Sequence, residues 1–227
     1  MLGDLWSFQG RYRTLHLTWI AFFLTFVVWF NLAPLATTVK ADLGLTVGQI
    51  RTVAICNVAL TIPARVLIGM LLDKFGPRIT YSSILVFSAI PCLLFASAQD
   101  FNQLVVARLL LSIVGAGFVI GIRMVAEWFP PKEIGLAEGI YGGWGNFGSA
   151  FSALTMVAFA GFLSFSGGFE LPTGAVLNWR GAIALTGIIS AVYGLFYFFN
   201  VTDTPPGKTY QRPEKTACLL YTSDAAD

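Results

Sequence analysis

At 227 residues, the chain is 56% hydrophobic and 11% charged, with a mean hydropathy of +0.73. Soluble domains carry about 25% charged residues, so a water-facing surface around one soluble core is excluded and the bilayer is the implied solvent. A net charge of +2 leaves no electrostatic footprint for a nucleic-acid partner.

Six apolar segments follow in chain order: Leu15 to Thr37, Val53 to Leu72, Ile79 to Ala96, Leu104 to Phe129, Leu136 to Leu163 and Ala182 to Phe199. Each is long enough to span hydrocarbon, which takes roughly 20 residues of helix, and each ends at polar, Gly or Pro residues. Backbone polar groups in lipid must pair within the chain, so these are helices rather than strands. The expected fold class is an all-α membrane protein, a bundle of six transmembrane helices over residues 1–202. The Gly-rich stretch Ser164 to Asn178 is read as an external loop. Residues 203–217, with Pro205, Pro206 and Pro213, read as the start of a cytoplasmic linker.

The last ten residues, Cys218 to Asp227, match the translation of a transposon end and adapter used to prepare sequencing libraries. They are set aside as non-native, and the reading frame is expected to be cut near Ala217.

Lys and Arg set the orientation. With the amino terminus in the cytoplasm, Arg11, Arg13, Lys74, Arg78, Lys132, Lys208, Arg212 and Lys215 fall inside. Only Lys40, Arg51, Arg180 and Arg108 fall outside, Arg108 reaching the outer interface by snorkelling. Trp6, Trp128, Trp179 and Tyr81 fall near the boundaries, where amphipathic rings are favoured. The expected location is the bacterial inner membrane. Cys56 and Cys92 read as small buried hydrophobes, and no Cys/His spacing suggests a metal or other cofactor.

Arg65 carries the most chemical information. A cation at mid-span costs about 2.5–3.5 kcal/mol on insertion scales and stays protonated, yet no acidic residue lies in the apolar middle of any segment. A transported anion can supply the missing charge, and a planar guanidinium suits a planar oxyanion. The alternative is a structural arginine bonded to backbone carbonyls. Helix five carries Gly135, Gly139, Gly142, Gly143, Gly145 and Gly148 with Asn146, Ser149 and Ser152. The glycines allow close helix contact, and Gly135, Gly139, Gly142, Asn146 and Ser149 share one face. An amide there needs partners. Gly115, Gly117 and Gly121 on helix four suggest a tight four–five pair. In helix one, Phe30 and Asn31, just before Pro34, are the residues expected to face a cavity. Arg123 and Glu127 are spaced to pair on one helical face. Between helices two and three, Asp73, Lys74 and Arg78 frame a Gly76-Pro77 turn, read as a structured loop that latches onto neighbouring helices.

The stretch Gly69-Met-Leu-Leu-Asp-Lys-Phe-Gly-Pro-Arg78 resembles the loop signature GxLxDRxGxR of the major facilitator superfamily, with Lys74 where arginine is common. Tyr141-Gly-Gly-Trp-Gly-Asn-Phe-Gly148 resembles the helix-five signature of the nitrate/nitrite porter family, and Trp29 to Leu35 and Leu43 to Ile50 are similar to it too. The resemblance implies the amino-terminal half of a twelve-helix fold that moves nitrate or nitrite by alternating access. It further implies that Arg65 binds the substrate oxygens and Asn146 donates a hydrogen bond, with Phe30, Gly117 and Gly142 completing the candidate site. Gly69, Asp73, Gly76 and Arg78 form the loop motif. A second arginine would come from a carboxy-terminal half not contained in this chain. Competing readings are an organic-anion carrier of the oxalate/formate type and an anion sensor without flux. No catalytic triad, HExxH or phosphate loop supports an enzyme.

Overall fold

The computed structural model describes residues 7–210. Six helices are long and apolar enough to cross a membrane: α1 (Gly10–Asp42), α2 (Val47–Phe75), α3 (Pro77–Ser97), α4 (Phe101–Trp128), α5 (Pro131–Ser166) and α6 (Trp179–Asn200). They overrun the apolar segments because a helix continues past hydrocarbon wherever caps permit. Thr46 opens α2 with a capping box closed by Gln49, and the Asp100 side chain accepts from the Gln103 N–H at the start of α4. In the bundle α1 lies along α5, α6 lies along α3, and the first half of α2 meets the first half of α4.

Among the described residues, α4 tightens to a 3-10 turn at Ile113–Ala116, and three other helices break three residues before a proline. The helix lapses at Asn31 before Pro34, at Leu60 before Pro63 and at Ser88 before Pro91. Proline has no N–H to donate and its ring crowds the preceding turn. Polar side chains bond to the backbone beside each break. Arg108 Nη2 donates to the Trp29 carbonyl at 2.7 Å. The Leu60 N–H donates to Ser112 Oγ at 3.3 Å, and Thr61 Oγ1 donates to the Ser112 carbonyl at 3.2 Å. Ser88 Oγ and Ser190 Oγ both donate to the Leu85 carbonyl, at 2.7 and 3.3 Å. Arg108 and Ser112 stand one turn apart on the same face of α4.

The loop read as an irregular external excursion contains a short antiparallel hairpin, β1 (Phe169–Glu170) with β2 (Val176–Leu177). Its far end is fastened by Arg180. That residue donates to the carbonyls of Ala96 and Ala98 at 2.8 and 2.6 Å and meets Asp42 at 3.4 Å. Two of the boundary aromatics are buried against neighbouring helices. Tyr81 is fully buried with its hydroxyl 3.2 Å from that of Tyr141, and Trp179 is buried with its indole N–H donating to Asp42 at 2.8 Å. Their polar atoms find partners inside the bundle, so water at the boundary is not needed. Trp6 lies outside the described residues.

On the opposite side the chain after α6 folds back over the helix ends. The Arg78 N–H donates to Asp203 Oδ1 at 2.7 Å, Tyr210 Oη donates to the Leu72 carbonyl at 3.1 Å, and Trp128 Nε1 donates to the Thr202 carbonyl at 3.1 Å. Burial raises the pKa of the Tyr210 hydroxyl. Residues 203–210 are thus docked onto the bundle. Residues 211–217 and the segment 218–227 lie outside the described residues.

Candidate functional site

The helices are unequally covered. In their most apolar stretches, 28% of α2 and 22% of α5 is buried, against 50% or more in α1, α3 and α4. Arg65 belongs to α2 and Asn146 to α5, so the two candidate polar residues ride on the two barest helices. Arg65 stands ten residues before the end of α2 at Phe75, about 15 Å along a helix and therefore near the bilayer middle. It is exposed and makes no hydrogen bond or ion pair with any described residue. Its place on an open face follows from spacing: Ala64, Ile68 and Leu72 turn inward, leaving Arg65 off that stripe.

Asn146 is also exposed, and its Nδ2 donates to the Gly142 carbonyl one turn earlier at 2.7 Å. That bond leaves the amide oxygen and a second N–H to face outward. The glycines divide into two sets by what a side chain would meet. Gly135, Gly139, Gly142 and Gly143 have open space, whereas a Cβ on Gly145 would strike the Phe22 ring and one on Gly148 the Phe23 carbonyl. Close approach within the bundle therefore occurs on the Gly145/Gly148 face, against α1. The Asn146 face, expected to be the close-packed one, is open instead.

Phe30 is half-buried, its ring 5.0 Å from that of Trp29 and 5.7 Å from that of Phe26. Gly117 is buried away from this face. A Cβ there would lie 3.3 Å from Thr25 and 3.4 Å from Tyr81, so its bare backbone serves helix contact with α1 and α3. Gly121 likewise accommodates the Tyr141 ring of α5, and this close pair joins α4 to α5 as the glycine pattern suggested.

In the loop motif, Gly76 adopts φ +83°, and a Cβ there would lie 2.7 Å from the Asp203 carboxylate. Glycine is required for both reasons. Arg78 lies 4.7 Å from the centre of the Phe198 ring. The loop therefore latches onto the end of α6. Asp73 is exposed, and Gly69 has open space beside it. Arg123 and Glu127 form the expected pair at 3.0 Å.

Arg108 departs most from its reading. It does not snorkel outward but is buried at 2% exposure. Nη1 donates to Asn31 Oδ1 at 3.1 Å and Nη2 to the Trp29 carbonyl at 2.7 Å, while the guanidinium lies 5.8 Å from the Phe95 ring centre. The residue lies seven positions inside α4, about 10 Å from its end, beyond easy reach of the interface. The carbonyl end of a helix carries partial negative charge, and the break before Pro34 presents such an end to the guanidinium. Asn31 is held in turn, its Nδ2 donating to Thr186 Oγ1 at 3.1 Å.

The described residues thus form a six-helix bundle with a polar pair on its two barest helices. The chain belongs to the Major Facilitator Superfamily, whose profile matches residues 18–222. It is 64% identical to the Nitrate/nitrite transporter NrtP of Picosynechococcus sp., over 98% of this chain and 44% of that protein. To the Nitrate/nitrite transporter NrtP of Nostoc punctiforme it is 60% identical, over 98% of this chain and 43% of that protein. The chain thus spans less than half the length of these relatives. Among solved structures, a bacterial homolog of the human lysosomal transporter Spinster, inward-facing and unoccupied, superposes with a TM-score of 0.68. It shares 18% identity over 96% of this chain and 49% of that chain, which shows the fold alone.

Proposed function

We propose that this chain is the amino-terminal half of a secondary transporter, not an enzyme, that moves nitrate or nitrite across a bacterial inner membrane by alternating access. The observation that carries the reading is Arg65, a permanent cation near mid-span on an open helix face with no partner among the described residues. The names of the relatives from Picosynechococcus and Nostoc support the cargo. The bare faces of α2 and α5 meet the second six-helix half, and the anion sits between the halves. There Arg65 forks onto its oxygens, Asn146 donates its free N–H, and Phe30 and the open backbone at Gly142 shape the path. Gly117 contributes only by letting α4 lie against α1 and α3. Residues 1–202 form the membrane half, 203–217 begin the link to the second half, and 218–227 are adapter-derived. The amino terminus is cytoplasmic, in keeping with the Lys and Arg bias.

With a second cation opposite, an empty site would close on unpaired positive charge at low dielectric, which is costly. Exchange of one anion for another avoids that state. Uptake of labelled nitrate by vesicles holding the full-length carrier, with and without internal nitrite, tests both points. Uptake stimulated by internal nitrite is the expected result. Normal uptake by Arg65→Lys would overturn the fork geometry, because lysine offers a point charge rather than paired donors.

A further inference from the structure

Phe30 is the one aromatic of the candidate anion site, and both of its chain neighbours are held by the same side chain. Arg108 donates to the backbone carbonyl of Trp29 and to the side chain of Asn31. Trp29 is fixed again by its indole N–H, which donates to the Asn57 carbonyl at 2.7 Å, and by the bare backbone of Gly115, where a Cβ would lie 2.7 Å from the indole. Asn31 is fixed again through Thr186 of α6. Phe30 itself is left half-buried, with no polar anchor of its own. The break before Pro34 is where α1 lacks its own backbone bond and where its path is least determined by helix geometry. Arg108 closes that gap from α4, and its Nε keeps no hydrogen-bond partner among the described residues. Both Nη groups are thus directed at the break.

Building on the anion-carrier reading, we propose that Arg108 is a positioning residue for the anion path: by bonding to the residues on both sides of Phe30, it sets where that ring stands. The fork is what allows one side chain to hold a backbone oxygen and an amide oxygen together. Lysine keeps the charge but not the two fixed donor directions.

The test uses the full-length carrier. Arg108→Lys and the milder Asn31→Ala are each expected to raise the KM for nitrate roughly tenfold, the scale of one charge-assisted hydrogen bond. The kcat should change by less than about twofold. In a Phe30→Ala background the same substitutions should add little, because the residue through which they act is gone. A structural role alone would lower the amount of protein in the membrane, leave KM unmoved and act independently of Phe30. That pattern, or KM effects that add fully in the Phe30→Ala background, overturns the proposal. If Arg108→Lys fails to insert, Asn31→Ala decides by the same criteria.

A second readout does not depend on cargo. With Cys substituted for Phe30 in a background lacking other cysteines, the rate of labelling by a hydrophilic maleimide should change several-fold on Arg108→Lys. Altered labelling in a carrier that moves no nitrate or nitrite would sink the cargo reading and leave the positioning role standing. Nitrate flux with neither KM nor labelling altered would do the reverse.

Discussion

Arg65 and Arg108 are both arginines at membrane depth, and neither pairs with a carboxylate among the described residues. One is buried, with its donors on a carbonyl and an amide oxygen. The other is exposed on the barer side of the bundle and bonds to nothing described. The contrast separates two ways of keeping a cation in lipid. Arg108 is neutralised in part by the carbonyl end of a helix that a proline has broken, so its compensation is built into the chain. Arg65 bonds to no such end among the described residues, and its compensation has to arrive from outside. A structural arginine and a ligand-binding arginine are thus told apart by what their donors meet.

Truncating the two residues should give opposite phenotypes, and the largest effect on folding belongs to Arg108. Arg108→Ala removes two hydrogen bonds from a charged donor and leaves the Trp29 carbonyl and Asn31 Oδ1 without partners. The cost should be about 3 kcal/mol, read as a lowered midpoint in thermal unfolding of detergent-solubilised protein. Arg65→Ala, at an exposed and unbonded position, should shift stability by no more than about 0.5 kcal/mol. An unfolding midpoint that falls as far for Arg65→Ala as for Arg108→Ala would erase the distinction.

The functional counterpart is the second effect in size. Arg65→Ala should raise the KM for nitrate about a hundredfold, since removing one member of a desolvated charge pair typically costs about 2–5 kcal/mol. The thermal midpoint should stay where it was. A variant that transports poorly only because it is present in smaller amount, as an immunoblot of the membranes would reveal, would move Arg65 into the structural class.

How far each arginine could be read from sequence follows from these surroundings. The six helices are legible because composition leaves lipid as the only solvent and each apolar run is long enough to span it. Arg65 is legible because no other charged residue lies between Arg51 and Asp73. Arg108 is not, because it stands near the polar start of α4, where a long side chain is expected to reach water. Its actual partner is a carbonyl beside a proline break in another helix, and that is a tertiary fact. A sequence signal did exist: Pro34, Pro63 and Pro91 each announce a break, and Arg108 and Ser112, one turn apart, are the polar residues on α4 that could serve two of them. The burial of Tyr81 and Trp179 was hidden for the same kind of reason, since the acceptors and donors that satisfy them come from α5 and α1. Loop composition did not disclose the hairpin at Phe169–Leu177, where glycines obscure strand pairing.

The glycines of α5 allow the contrast between covered and open faces to be sharpened without touching a charge. Gly145→Ala places a methyl group in the Phe22 ring, and Gly148→Ala places one against the Phe23 carbonyl, which belongs to the backbone and cannot turn aside. Each should lower stability by about 1–3 kcal/mol. Gly142→Ala meets open space within this bundle, so the isolated half should tolerate it or gain slightly from better helix propensity. In the full-length carrier the same change should slow transport if α5 meets the second half along this face. Comparing unfolding of the half with uptake by the whole reads both. Equal tolerance of alanine at positions 142 and 145 in the half would mean the two faces are not distinct.

A small effect on stability is also expected at Pro63, which lies between a break and the functional arginine. Pro63 leaves the Ala59 carbonyl without its helical donor, and the Leu60 N–H turns to Ser112 Oγ instead. Pro63→Ala restores the missing N–H and lets α2 run straight through. The regained backbone bond is offset by the lost contact to Ser112, so the net change should stay below about 1 kcal/mol. Geometry should change more than stability. Arg65 lies two residues past the proline, and straightening the helix reorients the turn that carries it relative to Val47–Ala59. Transport should therefore weaken by a few-fold while thermal unfolding barely moves. Ser112→Ala isolates the other half of the same arrangement, removing the acceptor but leaving the break. If Pro63→Ala transports normally, the break in α2 serves only to pack the helix against α4, and Arg65 depends on its own turn alone for its aim.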